Sequence, residues 1–203
     1  MKPTQVASCL AGVTFVGTAA LLGCAHLRNY AVPGPGPSNF PTPTPTPGPT
    51  STPSSCATQA PTATVIIVIS SGITAKTVAP YGTINGYVRL NPDSTFGNVA
   101  AVITARTTDI VQFVNGENTG PTTILHSAAG FSGSSFPPVP YSFPAAVQAQ
   151  VGNAITSSGA WSTGRLDPIC YSQPFTAAAG TYYFGDLDYY DLTNMRDVIV
   201  VSP

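Results

Sequence analysis

From Ala63 onward the chain breaks into short runs of β-branched and aromatic residues, each closed by Gly, Pro, Asn or Ser. Runs this short are poor candidates for helices, and their side chains suit a pleated surface that is at least half buried. Seven segments read as strands: 64–69, 86–90, 98–104, 109–114, 171–175, 181–184 and 197–201. Seven such strands predict an all-β sandwich. One short helical segment is expected at 144–156, where Ala145-Ala-Val-Gln-Ala-Gln-Val151 stands between Pro144 and Thr156. The stretch 63–203, about 140 residues, is long enough to bury a proper core.

The sequence before Ala63 has a different character. Ten of the 21 prolines fall between Pro33 and Pro61, and Pro41-Thr-Pro-Thr-Pro-Thr-Pro47 lies in the middle of them. This composition cannot build a core and reads as an extended tether. A PxxP ligand for a partner domain is the alternative. Further upstream, Lys2 is the only charge before Arg28, and Val6 to Gly23 is an almost wholly apolar run. It reads as a signal-peptide hydrophobic region, or else as an uncleaved anchor at the lower limit of spanning length. Leu21-Leu22-Gly23-Cys24 resembles the bacterial lipobox, which implies cleavage before Cys24 and lipidation of its thiol. The expected organisation is therefore a signal peptide at 1–23, a lipid-anchored linker at 24–62 and a domain at 63–203. The protein would sit in the cell envelope, anchored on the outer membrane or the outer face of the inner membrane, with its domain in the periplasm or outside the cell.

Charge narrows the partners. Lys and Arg number 7 and Asp and Glu 8, so charged residues make up 7% of the chain where about a quarter is usual. A net charge of −1 lacks the basic field that phosphate backbones require, which removes nucleic acid as a partner. In an oxidising compartment, with Cys9 in the signal peptide and Cys24 lipidated, Cys56 and Cys170 are left to pair as a disulfide, although a free buried Cys170 stays open.

The segment Ala101-Val-Ile-Thr-Ala-Arg-Thr-Thr-Asp-Ile-Val-Gln-Phe-Val-Asn115, followed by His126, resembles the cupredoxin pattern. In that family a strand of the form G-D-x-V-x-F-x-N leads to the first copper-binding histidine. Trp161-Ser-Thr-Gly-Arg-Leu-Asp-Pro168, Phe175-Thr-Ala-Ala-Ala-Gly-Thr-Tyr-Tyr-Phe184 and Met195-Arg-Asp-Val-Ile-Val-Val201 resemble the family's ending. There a G-x-L-x-P turn precedes F-x-x-x-G-T-Y-x-Y-x-C, a ligand loop, and a last strand that begins just after a Met. The likeness spans most of residues 64–203 and implies a cupredoxin-like Greek-key sandwich. A blue-copper site also needs two His and a thiolate. Here the cysteine position falls on Gly185 or Asp186, and the loop 185–195 contains no His. Only His126 and Met195 match ligand positions, with Asp188 or Asp191 about where the second His would stand.

Three readings of the site follow. The first is a binding or structural module that engages a protein or small ligand through loop 185–195. Tyr182, Tyr183, Tyr189 and Tyr190, with Trp161, Phe131 and Phe136, are its candidate contact residues. The second is copper handling by His126, Met195 and a loop carboxylate. An electron carrier ranks last, because the thiolate is missing. The acidic series Asp186, Asp188, Asp191 and Asp197 raises Ca²⁺ weakly and reads better as a solvated loop. Glu117, the sole Glu, lies between Asn115-Gly116 and Asn118 and reads as a turn. No nucleophile, base and acid arrangement is evident, so no enzymatic activity is expected.

Overall fold

A computed structural model describes residues 56–118 and 123–203. The signal-peptide and lipobox assignments, including Cys24, and the tether up to residue 55 lie outside the described residues. Within them the chain is almost entirely β. Its strands are β1 (Val65–Ile69), β2 (Lys76–Val78), β3 (Gly82–Ile84), β4 (Tyr87–Arg89), β5 (Ile103–Arg106), β6 (Val111–Asn115) and β7 (Ala129–Gly130). They continue with β8 (Gln150–Val151), β9 (Ala154–Ile155), β10 (Ser162–Thr163), β11 (Thr176–Ala177), β12 (Gly180–Gly185) and β13 (Arg196–Ser202). One helical turn, α1 (Tyr190–Thr193), lies between the last two.

The strands form a three-stranded sheet in the order β4-β1-β6 and a six-stranded sheet in the order β5-β13-β12-β7-β10-β8. Each contains one parallel pairing. β1 runs parallel to β6 from Val65↔Val111 to Ile69↔Asn115, and β13 runs parallel to β5 from Ile199↔Ile103 to Ser202↔Arg106. The long antiparallel ladder of β12 with β13, Gly180↔Val201 to Gly185↔Arg196, fixes which side chains of both strands face inward. Because the side-chain period is two, Tyr182 and Phe184 join Ile199 and Val201 in the main core, whereas Tyr183 and Val198 face a second cluster.

β1 is apolar at every position, and packing explains why. Val65, Ile67 and Ile69 enter the main core, and Ile66 and Val68 pack on the other face with Ile73, Ile84, Val88 and Val114. A strand covered on both sides reads as a continuous apolar run. Five fully buried aromatics, Tyr87, Phe113, Trp161, Phe175 and Phe184, centre the main core. Phe113 stacks on Trp161 at 6.0 Å, and Tyr87 meets Phe184 edge-on at 4.8 Å. Trp161 lies against Gly130, where any Cβ would collide with its indole nitrogen. Each such ring contributes about 2–3 kcal/mol by removal from water.

Three expectations about elements need correction. The segment 171–175 forms isolated bridges rather than a strand, Tyr171 pairing with Ala57 and Val114 and Phe175 with Val111. Pro174 between them has no N–H to continue a ladder. The strand expected at 98–104 begins only at Ile103. The helical reading of 144–156 reduces to a 3-10 turn at Ala145–Val147, followed by β8 and β9, with Gly152 at φ +72° between these two strands. The small Ala and polar Gln residues there present no apolar stripe wide enough to hold a helix on the sandwich.

Residues 56–61, read from sequence as the end of the tether, are built into the domain. Ala57 pairs with Tyr171 by two backbone hydrogen bonds of 2.9 and 3.2 Å. The fully buried Gln112 amide donates to Thr58 O and Ser172 O at 3.0 and 2.8 Å, and its oxygen accepts from Ala60 N at 2.9 Å. Cys56 and Cys170 form the disulfide expected for them, across 114 residues of sequence. A cross-link of that span removes much of the unfolded chain's freedom, so Cys170→Ser is expected to lower unfolding free energy by about 2–5 kcal/mol in non-reducing denaturant titrations.

Asp197 is the exception within the main core. It lies on the inward face of β13, Oδ1 accepts from Val198 N at 2.6 Å, and Oδ2 has no partner among the described residues. Burial pushes its carboxyl well above the usual range. With the folded value raised, the unfolded state loses its proton first. The contribution of Asp197 to stability is therefore complete below the unfolded carboxyl value and is lost as pH rises toward the folded one. Asp197→Asn is expected to be more stable than the wild type at pH 7. Its stability should also vary less with pH above 4, as read by thermal denaturation across a pH series.

Candidate functional site

His126 is fully buried and sits between two carboxylates. Its Nδ1 lies 3.1 Å from Asp186 Oδ2 and its Nε2 3.2 Å from Glu117 Oε1. Three separate pieces of chain supply the group. Glu117 follows the end of β6, His126 is held by backbone bonds to Leu166 of 3.2 and 2.7 Å, and Asp186 follows the last residue of β12. Asn115, the final residue of β6, fixes the near wall. Its amide donates to Ile124 O and Leu166 O at 2.9 Å each, and its oxygen accepts from Glu117 N at 3.0 Å.

Each carboxylate is anchored further. Asp186 Oδ2 also accepts from Ser127 N at 2.9 Å, and Oδ1 accepts from Asp188 N and Tyr189 N at 2.8 and 3.0 Å. Glu117 Oε1 accepts from Ser71 N and Ser71 Oγ at 2.6 and 2.7 Å and from Ser70 Oγ at 3.2 Å. The Tyr189 ring covers the imidazole at 5.1 Å, and Tyr87 Oη donates to Ser127 O at 2.6 Å beneath it. A doubly protonated imidazole satisfies both neighbours as donor, which suits a buried charge that must be paired to be tolerated.

The electrostatics follow from this arrangement. Burial is the largest single influence on His126 and opposes its charge. The hydrogen bond and charge of Asp186, and then those of Glu117, outweigh it and raise the imidazole above its ordinary value. Burial likewise pushes Glu117 up, but the Ser71 hydroxyl and amide and then His126 outweigh it, leaving that carboxyl lowered. Burial, followed by the charges of Asp186 and Asp197, raises Tyr87 well above the usual phenol value, which keeps it a hydrogen-bond donor.

The other candidate residues are dispersed. Asp188 makes a two-point pair with Arg165, Nη2 to Oδ1 at 2.6 Å and Nε to Oδ2 at 2.8 Å. Asp191 accepts from Tyr141 N with both oxygens, at 2.9 and 3.1 Å. Met195 joins the main core, its side chain filling the space over Gly86, while its carbonyl accepts from Asp186 N at 3.0 Å. Asp186 and Asp197 are fully buried, so the solvated acidic loop expected from the sequence is instead two interior carboxylates and two surface ones, each with its own partners. The tyrosine face is also corrected. Tyr182, Tyr183 and Tyr190 are buried, as are Trp161 and Phe131, and Tyr189 and Phe136 are half-buried. At α1 the large apolar side chain open to solvent is Leu192, 75% exposed.

The chain matches no family model, no curated protein and no solved structure. The site is therefore judged on its own chemistry. A blue-copper centre would need lone pairs on imidazole nitrogens and a cysteine thiolate beside them. Both nitrogens of His126 face carboxylates, both described cysteines are consumed in the disulfide, and Met195 is occupied in the core. Among the described residues no cluster of three or more His, Cys, Asp or Glu is arranged to hold a metal ion. The residues as placed do not form a blue-copper ligand set.

Two members of the triad escaped the sequence reading of the site. Asp186 was visible only as part of an acidic series, and Glu117 only as a turn residue. Nothing local ties either to His126, since the contacts span 60 and 9 positions.

A pH signature follows. His126, raised in the folded state, contributes stability that is complete below its unfolded value of about 6.5 and is lost as pH rises through the folded value. Glu117, lowered, contributes stability present above about 4.3 and lost as pH falls. Both contributions are in place between those two values. An NMR titration is expected to place His126 above 6.5, with Glu117→Gln lowering it. Asp186→Ala leaves a buried charge half-paired and should cost about 3–5 kcal/mol of stability at pH 6.

Proposed function

We propose that this chain is a non-enzymatic, lipid-anchored cell-envelope protein. Its cupredoxin-like sandwich would serve a binding or structural role, with the family's copper position closed by an ion-paired histidine. The observation that carries this reading is the direct 3.1 Å contact between Asp186 Oδ2 and His126 Nδ1. By the resemblance to the cupredoxin pattern, the family's ligand cysteine falls on Gly185 or Asp186, and its first ligand histidine on His126. A carboxylate there bonds the imidazole itself, with no room for an ion between them.

The order of elements supports the likeness. β6 carries Val111-Gln-Phe-Val-Asn115 and is followed by His126, β12 carries Gly180-Thr-Tyr-Tyr-Phe184, and β13 begins directly after Met195. The parallel pairings of β1 with β6 and of β13 with β5 need crossover connections, which a simple meander, antiparallel throughout, does not contain. The loop 185–195 is the proposed contact face. Asp186 braces it from within, and Asn85 Nδ2 donates to Thr193 O at 2.8 Å, so its exposed Leu192 is presented on a fixed frame.

Metal titration of the full chain tests the reading. Isothermal calorimetry with Cu(II), and with Cu(I) under reductant-controlled conditions, is expected to show no stoichiometric binding at micromolar concentration. His126→Ala should not change that result. Stoichiometric copper that disappears in His126→Ala would replace this reading with copper handling. An intense thiolate-to-copper absorption would show that the alignment of residues 185–195 is wrong.

A further inference from the structure

The sparse charge of this chain makes its unpaired cations conspicuous. Among the five described Lys and Arg residues, Arg165 is paired with Asp188, and Arg196 lies 4.7 Å over the Phe136 ring and donates to Thr83 O. Lys76 lies on the outlying β2/β3 pair. The remaining two, Arg89 and Arg106, end the edge strands β4 and β5 of the two sheets and line one open recess of about 450 Å³. Thr104, Asp109 and Ser202 complete its polar wall.

Neither guanidinium has a carboxylate partner among the described residues. Arg89 reaches only backbone carbonyls, Nη1 to Thr104 O at 3.3 Å and Nη2 to Thr64 O at 3.4 Å, and both contacts are long. The Arg106 side chain is exposed, and Asp109 Oδ2 accepts from the Arg106 backbone N at 2.7 Å instead of from its guanidinium. Asp109 Oδ1 accepts from Thr64 Oγ1 at 2.7 Å. Both oxygens of the one acid in the recess are thus already engaged by other donors. Its single negative charge leaves a net +1 from the three ionised groups.

We propose that this recess is an oxyanion site that takes a phosphate-type group, carried either by a small soluble anion or by a lipid headgroup. Two planar guanidinium forks supply the paired N–H donors that phosphate oxygens accept best, and the Thr104 hydroxyl can complete the shell, with the Ser202 hydroxyl donating a long bond of 3.4 Å to Ala105 O. The site is open, so binding is weak and salt-sensitive, as expected for exposed ion pairs. It is separate from the His126 triad and does not depend on the copper question. Thr64 first, then the Arg106 amide, with the two guanidinium charges adding, hold the Asp109 carboxyl below its usual range, so both arginines already act on the recess.

The experiment is a titration of the isotopically labelled full chain with inorganic phosphate, followed in amide correlation spectra against sodium chloride at matched ionic strength. Saturable shifts at Thr104, Arg106, Asp109 and Ser202 are expected. The affinity should fall roughly tenfold in Arg106→Gln and stay unchanged in Lys76→Gln, with the thermal midpoint of both variants near wild type. Shifts no larger than those with chloride, or unaltered in Arg106→Gln, would overturn the site. Sedimentation with phosphatidylglycerol vesicles separates the two sources. Capture that is stronger on phosphatidylglycerol than on phosphatidylcholine and falls to the phosphatidylcholine level in Arg106→Gln assigns the headgroup, and phosphate shifts with equal capture on both vesicles assign the soluble anion. Arg106→Lys, which keeps the charge and removes the fork, should recover only part of the affinity.

Discussion

Asp186 occupies the first position after β12, and its buried carboxylate receives hydrogen bonds from His126 Nδ1, Ser127 N, Asp188 N and Tyr189 N. Taking a carboxylate out of water costs several kcal/mol, and it is tolerated only when its lone pairs are filled. Those four donors come from two chain segments 60 positions apart, so satisfying one side chain closes one end of the sandwich. The path of the last hairpin connection, from β12 through α1 to β13, follows from this constraint. With the start of the loop bonded to Asp186, Met195 is returned to the core and β13 enters in register beside β12. The acidic side chain does here the organising that a metal centre could do elsewhere: it gathers ligands around a point, although the ligands are N–H groups.

How much of this could be read in advance differs by level. The strands with strong alternation or uniform apolar content, β1, β6, β12 and β13, were legible because burial writes itself into composition at short range. The Cys56–Cys170 pair was legible by elimination among four cysteines, once Cys9 and Cys24 are read as parts of an export signal. The partners of His126 were not. Glu117 and Asp186 look like ordinary polar loop residues, and their burial arises only when Ser70-Ser71, the 126–127 segment and the end of β12 are brought together. The same holds for Asp197, which alternation alone would place inward and which charge argues should point outward. The pairing of β12 with β13 decides for alternation, and burial raises the carboxyl above its usual range.

The tyrosines show a related limit. Tyr182, Tyr183, Tyr189 and Tyr190 look like an adhesive surface in a list, yet the sheet divides them between two cores. Tyr182 packs inward with Phe184, and Tyr183 and Tyr190 pack outward among Phe131, Phe136, Tyr141 and Phe143. This outer cluster exists because 131–143 folds back over the six-stranded sheet, an arrangement that no short window of sequence announces. Arg196 lies over Phe136 and Tyr190 and covers the cluster with a cation instead of water.

The attachment of residues 56–61 has a mechanical meaning. If the chain before Cys56 is held at a surface, any pull on the domain arrives at Cys56, and the bond to Cys170 carries the load into the turn after Leu166 before it reaches the Ala57–Tyr171 bridge or the Gln112 amide. Peeling the first residues away from the sandwich one hydrogen bond at a time is therefore blocked by a covalent clamp. Tension must shear the interior, where β6 and the 170–175 segment are bonded together, so the domain would behave under drag as a fixed weight on its leash, not as a thread waiting to unravel.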